Sequence, residues 1–369
     1  YLEEAGWQLD KNLAEEEPVI GMPNDSGEGA ADYVLWGDDR KPLAVIEAKR
    51  TSVDPKKGRH QAELYADCLE KMHGQRPIIF LSNGYQHWIW DDTNYPPRRV
   101  QGFYAQGELA LLILRRETQI PLKNQKVNTS ITDRYYQERA IRLISESFED
   151  KNRKALLVMA TGTGKTRTVI SLCDLLIKCN WVKRVLFLAD RKVLVQQALD
   201  DFKKHLPNSS PINLLKNKTK DGRIFVCTHN TMMNLIDQRD DDGQKFFSVG
   251  HFDLVIVDEA HRSIFRKYKG IFDYFDSLLV GLTATPSEEI DRNTYALFDR
   301  DIGMPTDKYE LDEAIDDGYL SPFKSLSIPL KFIREGIRYD ELSEQEKEYW
   351  DELDWNGEHP PERIDSGQL

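Results

Sequence analysis

Two short motifs, far apart in the chain, contain the residue types needed to hold a nucleoside triphosphate and its magnesium ion. Residues 160–166 read Ala-Thr-Gly-Thr-Gly-Lys-Thr, and the apolar run 254–257 leads into Asp258-Glu259-Ala260-His261. Glycines let backbone N–H groups close around phosphates, and a lysine reaches the terminal phosphates. A threonine and an aspartate can hold the magnesium ion between them. The spacing therefore predicts a nucleotide site that contains Lys165, Thr166 and Asp258.

The first motif departs from the pattern G-x-x-x-x-G-K-T at one position, because Met159 occupies the place of the first glycine. We expect Met159 to end the preceding strand, which leaves the phosphate-binding loop intact. The residues predicted to bind the nucleotide here are Thr161, Gly162, Thr163, Gly164, Lys165 and Thr166.

Asp32, Glu47 and Lys49 form a second set of residues with catalytic potential. If the runs 31–36 and 42–48 pair as a hairpin centred between residues 39 and 40, positions that sum to 79 lie opposite one another, and Asp32 lies beside Glu47. The strand period of two places Glu47 and Lys49 on one face. Two carboxylates that hold magnesium, with a lysine that positions water, are the groups that metal-assisted phosphodiester cleavage requires. The alternative is a set of solvated acidic residues around an ordinary hairpin.

Gln61 and Tyr65 lie four residues apart on one face of the predicted helix 58–72. The combined pattern D…E-x-K followed by Q-x-x-x-Y resembles the PD-(D/E)xK nuclease family that includes the exonuclease domain of bacterial recombination helicases. This resemblance adds Gln61 and Tyr65 to the predicted catalytic residues. It also suggests Glu3 or Glu4 as a further acidic residue at the site.

The order of predicted strands and helices indicates an α/β fold with two sheets. In residues 1–115, short strand-like runs surround one helix, and in residues 133–328 apolar strands alternate with helices, which is typical of a parallel sheet covered on both faces. Residues 116–132 read as a linker, and residues 329–369 as an acidic helical or linker segment. We therefore expect a PD-(D/E)xK-like domain followed by a RecA-like P-loop domain.

Charge and composition limit the other possibilities. The net charge is −12, but residues 335–369 hold twelve Asp or Glu against three Lys or Arg, so the remainder is nearly balanced. Residues 49–60 have five Lys or Arg against one Asp, which could face phosphates or form a solvated loop. The apolar runs are too short to span a membrane. The four cysteines have no metal-ligand spacing, which favours a cytoplasmic protein.

The P-loop region resembles the superfamily 2 helicases and translocases. The resemblance implies that Gln137 reads the adenine edge of ATP, that Glu259 orients or deprotonates the attacking water, and that His261 relays the nucleotide state to the segment 281–286. Segments 187–197 and 228–231 are similar to the motifs that contact the DNA backbone in that family. In such motors a second lobe supplies arginines to the nucleotide, and we find no pattern for it here, so we expect a fragment that turns over ATP poorly alone.

A nuclease module placed before a superfamily 2 motor resembles the restriction subunit of type I restriction-modification enzymes. The resemblance covers roughly residues 1–330, including 29–35, 45–49, 189–191 and 309–320. It implies ATP and Mg²⁺ as cofactors, with Asp32, Glu47, Thr166 and Asp258 as metal ligands. It implies double-stranded DNA and separate methylation and specificity subunits as partners. Two alternatives remain, a stand-alone helicase-nuclease of DNA repair or phage defence, and an ATP-dependent docking module with an inactive nuclease.

Overall fold

Among the described residues, the first sheet contains six strands and is mostly antiparallel. The computed structural model describes residues 1–9, 11–260, 264–285, 287–290, 292–322, 337–351 and 361–364. The strands, which pair in chain order, are β1 Leu13–Ile20, β2 Glu28–Trp36, β3 Pro42–Ala48, β4 Ile78–Ser82, β5 His87–Trp90 and β6 Arg98–Val100. The pair β3 and β4 is parallel, and helix α1, Arg59–His73, makes the crossover between them. Helix α2, Gln106–Thr118, follows the sheet.

Strand β3 has one face toward α1 and the other toward α2. Val45 packs in one buried cluster with Ala62 and Leu69 of α1, whereas Ala44 and Ile46 pack in another with Leu109 of α2. This alternation follows from the period of two in a strand. Glu47, two residues after Val45, therefore faces α1, which fixes the side of the sheet on which its carboxylate lies.

In the part of the chain that the structure describes, the second sheet contains seven strands, and every strand pair in it is parallel. The strands are β7 Lys154–Met159, β8 Val185–Ala189, β9 Pro211–Asn213, β10 Ile224–Thr228, β11 Leu254–Val257, β12 Leu278–Thr283 and β13 Asp307–Tyr309. Their order across the sheet is β13-β7-β12-β11-β8-β10-β9. Because all strands run in one direction, their carboxyl ends meet at one edge, where ligands bind in such folds.

Helices cover both faces of this parallel sheet. They are α3 Tyr135–Glu149, α4 Lys165–Lys178, α5 Lys192–His205, α6 His229–Ile236, α7 Ile264–Tyr274, α8 Arg292–Leu297 and α9 Leu311–Asp316. Residues of α3, α4 and α5 pack in one buried cluster with Leu157 and Phe187, and residues of α6, α7 and α8 pack in another with Leu156 and Leu186. The side chains of each strand thus alternate between two apolar layers.

Both sheets belong to one compact unit, Tyr1–Leu320, and Ser321–Leu369 forms a second. The described part of the second unit contains strands β14 Ile337–Arg338 and β15 Arg363–Ile364, which pair antiparallel, and helix α10 Glu344–Asp351. Single turns of 3-10 helix occur at Glu3–Ala5, Pro55–Gly58, Pro207–Ser209, Ser287–Glu289 and Tyr339–Glu341. No helix among the described residues has the length and apolar character needed to cross a membrane. The four cysteines are buried and unpaired.

A buried carboxylate joins the two sheets of the first unit. Asp276, shortly after α7, accepts hydrogen bonds from Arg98 and Tyr104 of the first domain and from Arg153 just before β7. Burial by itself would raise the pKa of Asp276, but the charges of Arg153 and Arg98 hold it well below its usual range. Because the pKa is lowered in the folded state, this contribution to stability is present at neutral pH and is lost as the pH falls below about 4.

We expect Asp276→Ala to lower the free energy of unfolding at pH 7 by about 3–5 kcal/mol, because it leaves two largely buried guanidinium groups without their counter-charge. Urea denaturation followed by circular dichroism measures this change. The control is Asp273→Ala, in α7, whose contact with Lys269 is 3.9 Å long and about half exposed. The control substitution should lower the free energy of unfolding by less than about 1 kcal/mol. Equal effects of the two substitutions would contradict the role assigned to Asp276.

Candidate nucleotide site and nuclease centre

The β2–β3 hairpin has the register predicted from the sequence. Tyr33 pairs with Ile46, Val34 with Val45 and Leu35 with Ala44, and each pair sums to 79, as the hairpin argument requires. The register shifts by one residue only near the turn, after Leu35. Continued by one residue in the other direction, it places Asp32 across from Glu47. The hairpin therefore brings together two carboxylates from neighbouring strands.

Asp32 and Glu47 differ in their surroundings. A carboxylate oxygen of Asp32 accepts a hydrogen bond from the backbone N–H of Ala48 at 2.6 Å, and the side chain is half-buried. Glu47 is only 1% exposed, and its Oε2 atom has no hydrogen-bond partner among the described residues. Burial raises the pKa of Glu47, and the neighbouring charge of Asp32 raises it further.

Lys49, Gln61 and Tyr65 form a hydrogen-bonded chain that leads away from Glu47. The ammonium group of Lys49 pairs with Oε1 of Glu47 and donates to Oε1 of Gln61 at 3.2 Å. The amide of Gln61 in turn donates to the hydroxyl oxygen of Tyr65 at 2.7 Å. The Q-x-x-x-Y spacing on α1 thus holds the Lys49 side chain in place beside the carboxylates.

The donor set at this centre fits a magnesium ion. Magnesium prefers oxygen ligands and is commonly held by one or two carboxylates with water in its remaining positions. The buried Oε2 atom of Glu47 is an oxygen without a partner, which is costly for a buried polar group unless a ligand or cation satisfies it. Asp32 supplies the second carboxylate.

Gly58 lies against the same centre, where α1 begins. A Cβ atom at this position would lie 2.5 Å from Cγ of Glu47 and 3.0 Å from Cε of Lys49. A side chain here would displace both groups, so the close approach of this turn to β3 requires glycine. The sequence reasoning missed Gly58. Its position directly before the helix that contains Gln61 is the signal that could have identified it.

The sequence suggested Glu3 or Glu4 as a further acidic residue beside Asp32 and Glu47, and the structure places Glu4 elsewhere. Its carboxylate pairs with Arg239, and its backbone oxygen accepts from the N–H of Lys245, so Glu4 contacts the second domain. Among the described residues, Glu3 has no contact that links it to Asp32 or Glu47. Sequence position could not predict this, because the partners of Glu4 lie far along the chain.

The phosphate-binding loop lies between β7 and α4, at the carboxyl edge of the parallel sheet. Gly162 and Gly164 have φ angles of +89° and +91°, a conformation that glycine adopts readily. The hydroxyl of Thr163 donates to the carbonyl of Ala160 at 2.6 Å. Lys165 and Thr166 begin α4, and Thr161 is exposed. The loop therefore presents backbone N–H groups next to a helix N-terminus, an arrangement suited to phosphate.

Charged side chains face one another across this edge. Burial lowers the pKa of Lys165, while the carboxylates of Glu259 and Asp258 act in the opposite direction. Burial raises the pKa of Asp258 to about 6, with a further contribution from Glu259. Among the described residues, Lys165 donates a hydrogen bond to the carbonyl of Met159 alone, at 3.2 Å, and an ammonium group has three donors. A triphosphate and a magnesium ion would satisfy both charges.

Gln137 is buried, and its amide nitrogen donates to the carbonyl of Thr163 at 3.0 Å. The hydroxyl of Tyr136 donates to the same carbonyl at 2.9 Å. A Cβ at Gly164 would meet the Gln137 amide at 2.5 Å. The contact of Gln137 with adenine stays a prediction, since the structure shows the side chain engaged with the phosphate-binding loop.

Strands β11 and β12 link the acidic motif to the following threonine-rich segment. The backbone N–H of Ala260 donates to the carbonyl of Leu282, and the N–H of Thr285 donates to the hydroxyl of Thr283. Glu259 has a φ angle of +54°, a backbone conformation that costs energy in a residue other than glycine and often occurs at functional sites. His261, the predicted relay, lies outside the described residues.

Aromatic side chains pack beside the phosphate-binding loop, and the sequence analysis did not predict this packing. The ring of Tyr309 stacks on that of Tyr136 with a centroid distance of 3.7 Å. A Cβ at Gly162 would lie 3.2 Å from a methyl group of Leu320. The segment 309–320, noted in the sequence for its resemblance alone, therefore packs against the nucleotide loop.

Comparison with known proteins relates the two halves of the chain to restriction enzymes. Residues 13–98 match the family described as type I restriction enzyme R protein N terminus, and residues 130–288 match the type III restriction enzyme res subunit family. The type I enzyme EcoAI endonuclease subunit of Escherichia coli is 32% identical over 84% of this chain, and the EcoKI subunit of strain K12 is 28% identical over 86%.

The chain belongs to the type I restriction enzyme R protein family. It spans 39% of the length of the EcoAI subunit and 34% of that of the EcoKI subunit. A solved fragment assigned as an HsdR subunit of a type I restriction enzyme from Vibrio vulnificus YJ016 is 25% identical, covers 86% of this chain and 58% of that one, and has a TM-score of 0.41. Along the chain, the match to the type I R protein N terminus, residues 13–98, precedes the match to the res subunit family, residues 130–288.

Proposed function

We propose that this chain is the part of a type I restriction endonuclease subunit that contains a magnesium-dependent DNA nuclease centre and the first ATP-binding lobe of a duplex-DNA translocase. The observation that supports it most is the set Asp32, Glu47 and Lys49, assembled on one hairpin in the domain that precedes the phosphate-binding loop. Few other activities need both of these sites in one chain.

In the nuclease centre, Asp32 and Glu47 would hold magnesium through their carboxylate oxygens. Bound magnesium polarises the scissile phosphate and provides hydroxide near neutral pH. Lys49, which Gln61 and Tyr65 hold in position, orients the attacking water or a phosphate oxygen from the α1 side of the sheet. The burial of Glu47 excludes bulk water, which strengthens the electrostatic interactions of this group.

In the motor lobe, the backbone of residues 161–164 would surround the phosphates of ATP, and Lys165 would contact the terminal ones. Thr166 and Asp258 are the proposed magnesium ligands, and Glu259 orients the attacking water. The hydrogen bond between Ala260 and Leu282 offers a direct route from this site to Thr283 and Thr285. We propose that ATP hydrolysis moves duplex DNA past the complex.

The proposed partners are double-stranded DNA and the methylation and specificity subunits of a restriction-modification complex. The relatives are endonuclease subunits by name, and sequence recognition in such enzymes would belong to other subunits. The balanced charge of most of this chain agrees with that division, because the partners would anchor the DNA.

The test is cleavage of a plasmid by the protein assembled with its methylation and specificity subunits, with ATP, magnesium or the partner subunits omitted in turn. We expect cleavage only when all are present, because ATP hydrolysis would move the DNA, magnesium would serve the nuclease centre and the partner subunits would anchor the DNA. Equal cleavage without the partner subunits would favour a stand-alone helicase-nuclease. Cleavage that needs no ATP would contradict the proposed role of the motor.

A further inference from the structure

A group of basic side chains lies on the surface beside the nuclease centre. We define the basic patch as Arg50, Lys56, Lys57 and Arg59, all exposed, in the turn before α1 and at its start. Gly58, in the middle of the patch, lies against Glu47 and Lys49, since a Cβ there would meet both side chains within 3.0 Å. Any molecule bound at the nuclease centre would therefore also adjoin the patch.

The basic patch is positively charged, whereas the domain around it has a net negative charge. Residues 1–115 contain 13 Lys or Arg and 19 Asp or Glu, so the domain as a whole is acidic. Arg76, Arg98 and Arg115 of the same domain pair with aspartates at 2.6–2.7 Å. None of the four patch residues makes an ion pair with a described residue. Their positive charge is thus available to a ligand.

Tryptophan rings hold two of these cations in place. The ammonium of Lys56 lies 3.8 Å from the ring centroid of Trp88, and the guanidinium of Arg59 lies 4.2 Å from that of Trp90. Trp88 and Trp90 are two residues apart in β5, so both rings belong to one face of the sheet. A cation over an aromatic face is attracted to the ring without being neutralised by it.

The turn that contains the patch is also fixed by hydrogen bonds. Asp54 accepts from the backbone N–H of Lys56 at 3.0 Å, and the amide of Asn83 donates to the carbonyl of Val53 at 3.0 Å. A solvated loop would not need these contacts. The ordered backbone and the ring contacts together present the charges at a fixed position beside Glu47.

We propose that the basic patch binds the phosphate backbone of duplex DNA next to the phosphodiester that is cut. This inference rests on the proposed nuclease function and adds the surface by which the nuclease domain holds its substrate. Exposed Lys and Arg groups that neutralise phosphates give a binding affinity that falls with salt concentration, by a slope of about −0.9 per phosphate contact on logarithmic axes.

The test is binding of a fluorescent duplex oligonucleotide in EDTA, where no cleavage occurs, at several sodium chloride concentrations. We expect the double variant Lys56→Ala/Arg59→Ala to bind more weakly than wild type, with a salt slope reduced by about two. Lys57 has no cation–aromatic contact with a described residue, so Lys57→Ala removes charge without removing such a contact, and its salt slope should fall by about one. The control is Lys41→Ala/Lys71→Ala, which removes the same charge from exposed positions of the same domain and should leave the slope unchanged.

Three results would overturn the proposal. Unchanged slopes in both patch variants would show that the patch contacts no phosphate. An equal loss in the control would show a general charge effect. Normal DNA binding with lost association of the methylation and specificity subunits would make the patch a protein-binding surface. Because these measurements need no magnesium, they report on the patch even if the wild-type protein proves to have no nuclease activity.

Discussion

ATP hydrolysis by the assembled enzyme is expected to fall by on the order of 100-fold or more in a Lys165→Ala variant, and DNA translocation should stop. In the proposed function, the side chain at the start of α4 would supply the fixed positive charge for the terminal phosphates, and removing a preorganised charge of this kind from a reaction centre has effects of that size. A steady-state phosphate-release assay measures hydrolysis, and displacement of a triplex-forming oligonucleotide measures translocation.

The matched control for this substitution is Lys178→Ala, in the last turn of the same helix. Lys178 pairs with Asp174 at 2.6 Å, and its side chain is 62% exposed, so its removal should change hydrolysis less than twofold and stability by less than about 1 kcal/mol. Translocation by the Lys165→Ala enzyme at the wild-type rate would contradict the assignment of the nucleotide site.

Magnesium-dependent DNA cleavage is expected to fall by at least about 100-fold in Asp32→Asn, while ATP hydrolysis stays at the wild-type rate. Loss of even an outer partner of a metal site commonly costs 10–100-fold, and Asp32 is a proposed direct ligand. Asparagine keeps an oxygen that can accept the hydrogen bond from Ala48, so the hairpin should remain intact. Plasmid linearisation on agarose gels, with the magnesium concentration varied, measures the change.

Asp25→Asn is the control for this prediction, because Asp25 is exposed in the connection between β1 and β2, outside the proposed centre. It should cut DNA as the wild type does. Full cleavage by the Asp32→Asn enzyme would show that Asp32 is not part of the nuclease centre. Equal losses of cleavage in both variants would indicate a general effect of charge.

Much of the fold was predictable where local pattern and packing agree. The bounds of β3 and β11 are those predicted from the sequence, and the hairpin register follows from the symmetric position of its turn. Apolar runs of this length, bounded by turn residues, leave few alternatives to a buried strand. The register then fixed which side chains could meet, so the pairing of Asp32 with Glu47 needed no knowledge of the rest of the chain.

Strand β1, Leu13–Ile20, was not predicted. It contains Glu15, Glu16 and Glu17 followed by Pro18, residues that are rare in strands. Its backbone pairs with β2 over most of its length, and it lies at the edge of the sheet, where charged residues and proline are tolerated. Tertiary pairing therefore outweighs a weak local preference here.

The network around Asp276 could not be predicted from one sequence. Its partners Arg98, Tyr104 and Arg153 lie far from it in the chain, and no local spacing relates them. The stack of Tyr309 on Tyr136, beside the phosphate-binding loop, could not be predicted from one sequence either. Such contacts depend on how the two sheets and their helices pack, which periodicity does not specify.

Paired assays of ATP hydrolysis and DNA cleavage in one assembled enzyme test the central claim most directly, because the two proposed sites lie on separate sheets of one chain. We predict that Asp32→Asn hydrolyses ATP and translocates DNA at the wild-type rate without cutting it, and that Lys165→Ala does none of the three. A Lys165→Ala enzyme that cuts DNA far from its recognition site at the wild-type rate would contradict the claim that ATP-driven movement controls where this nuclease acts.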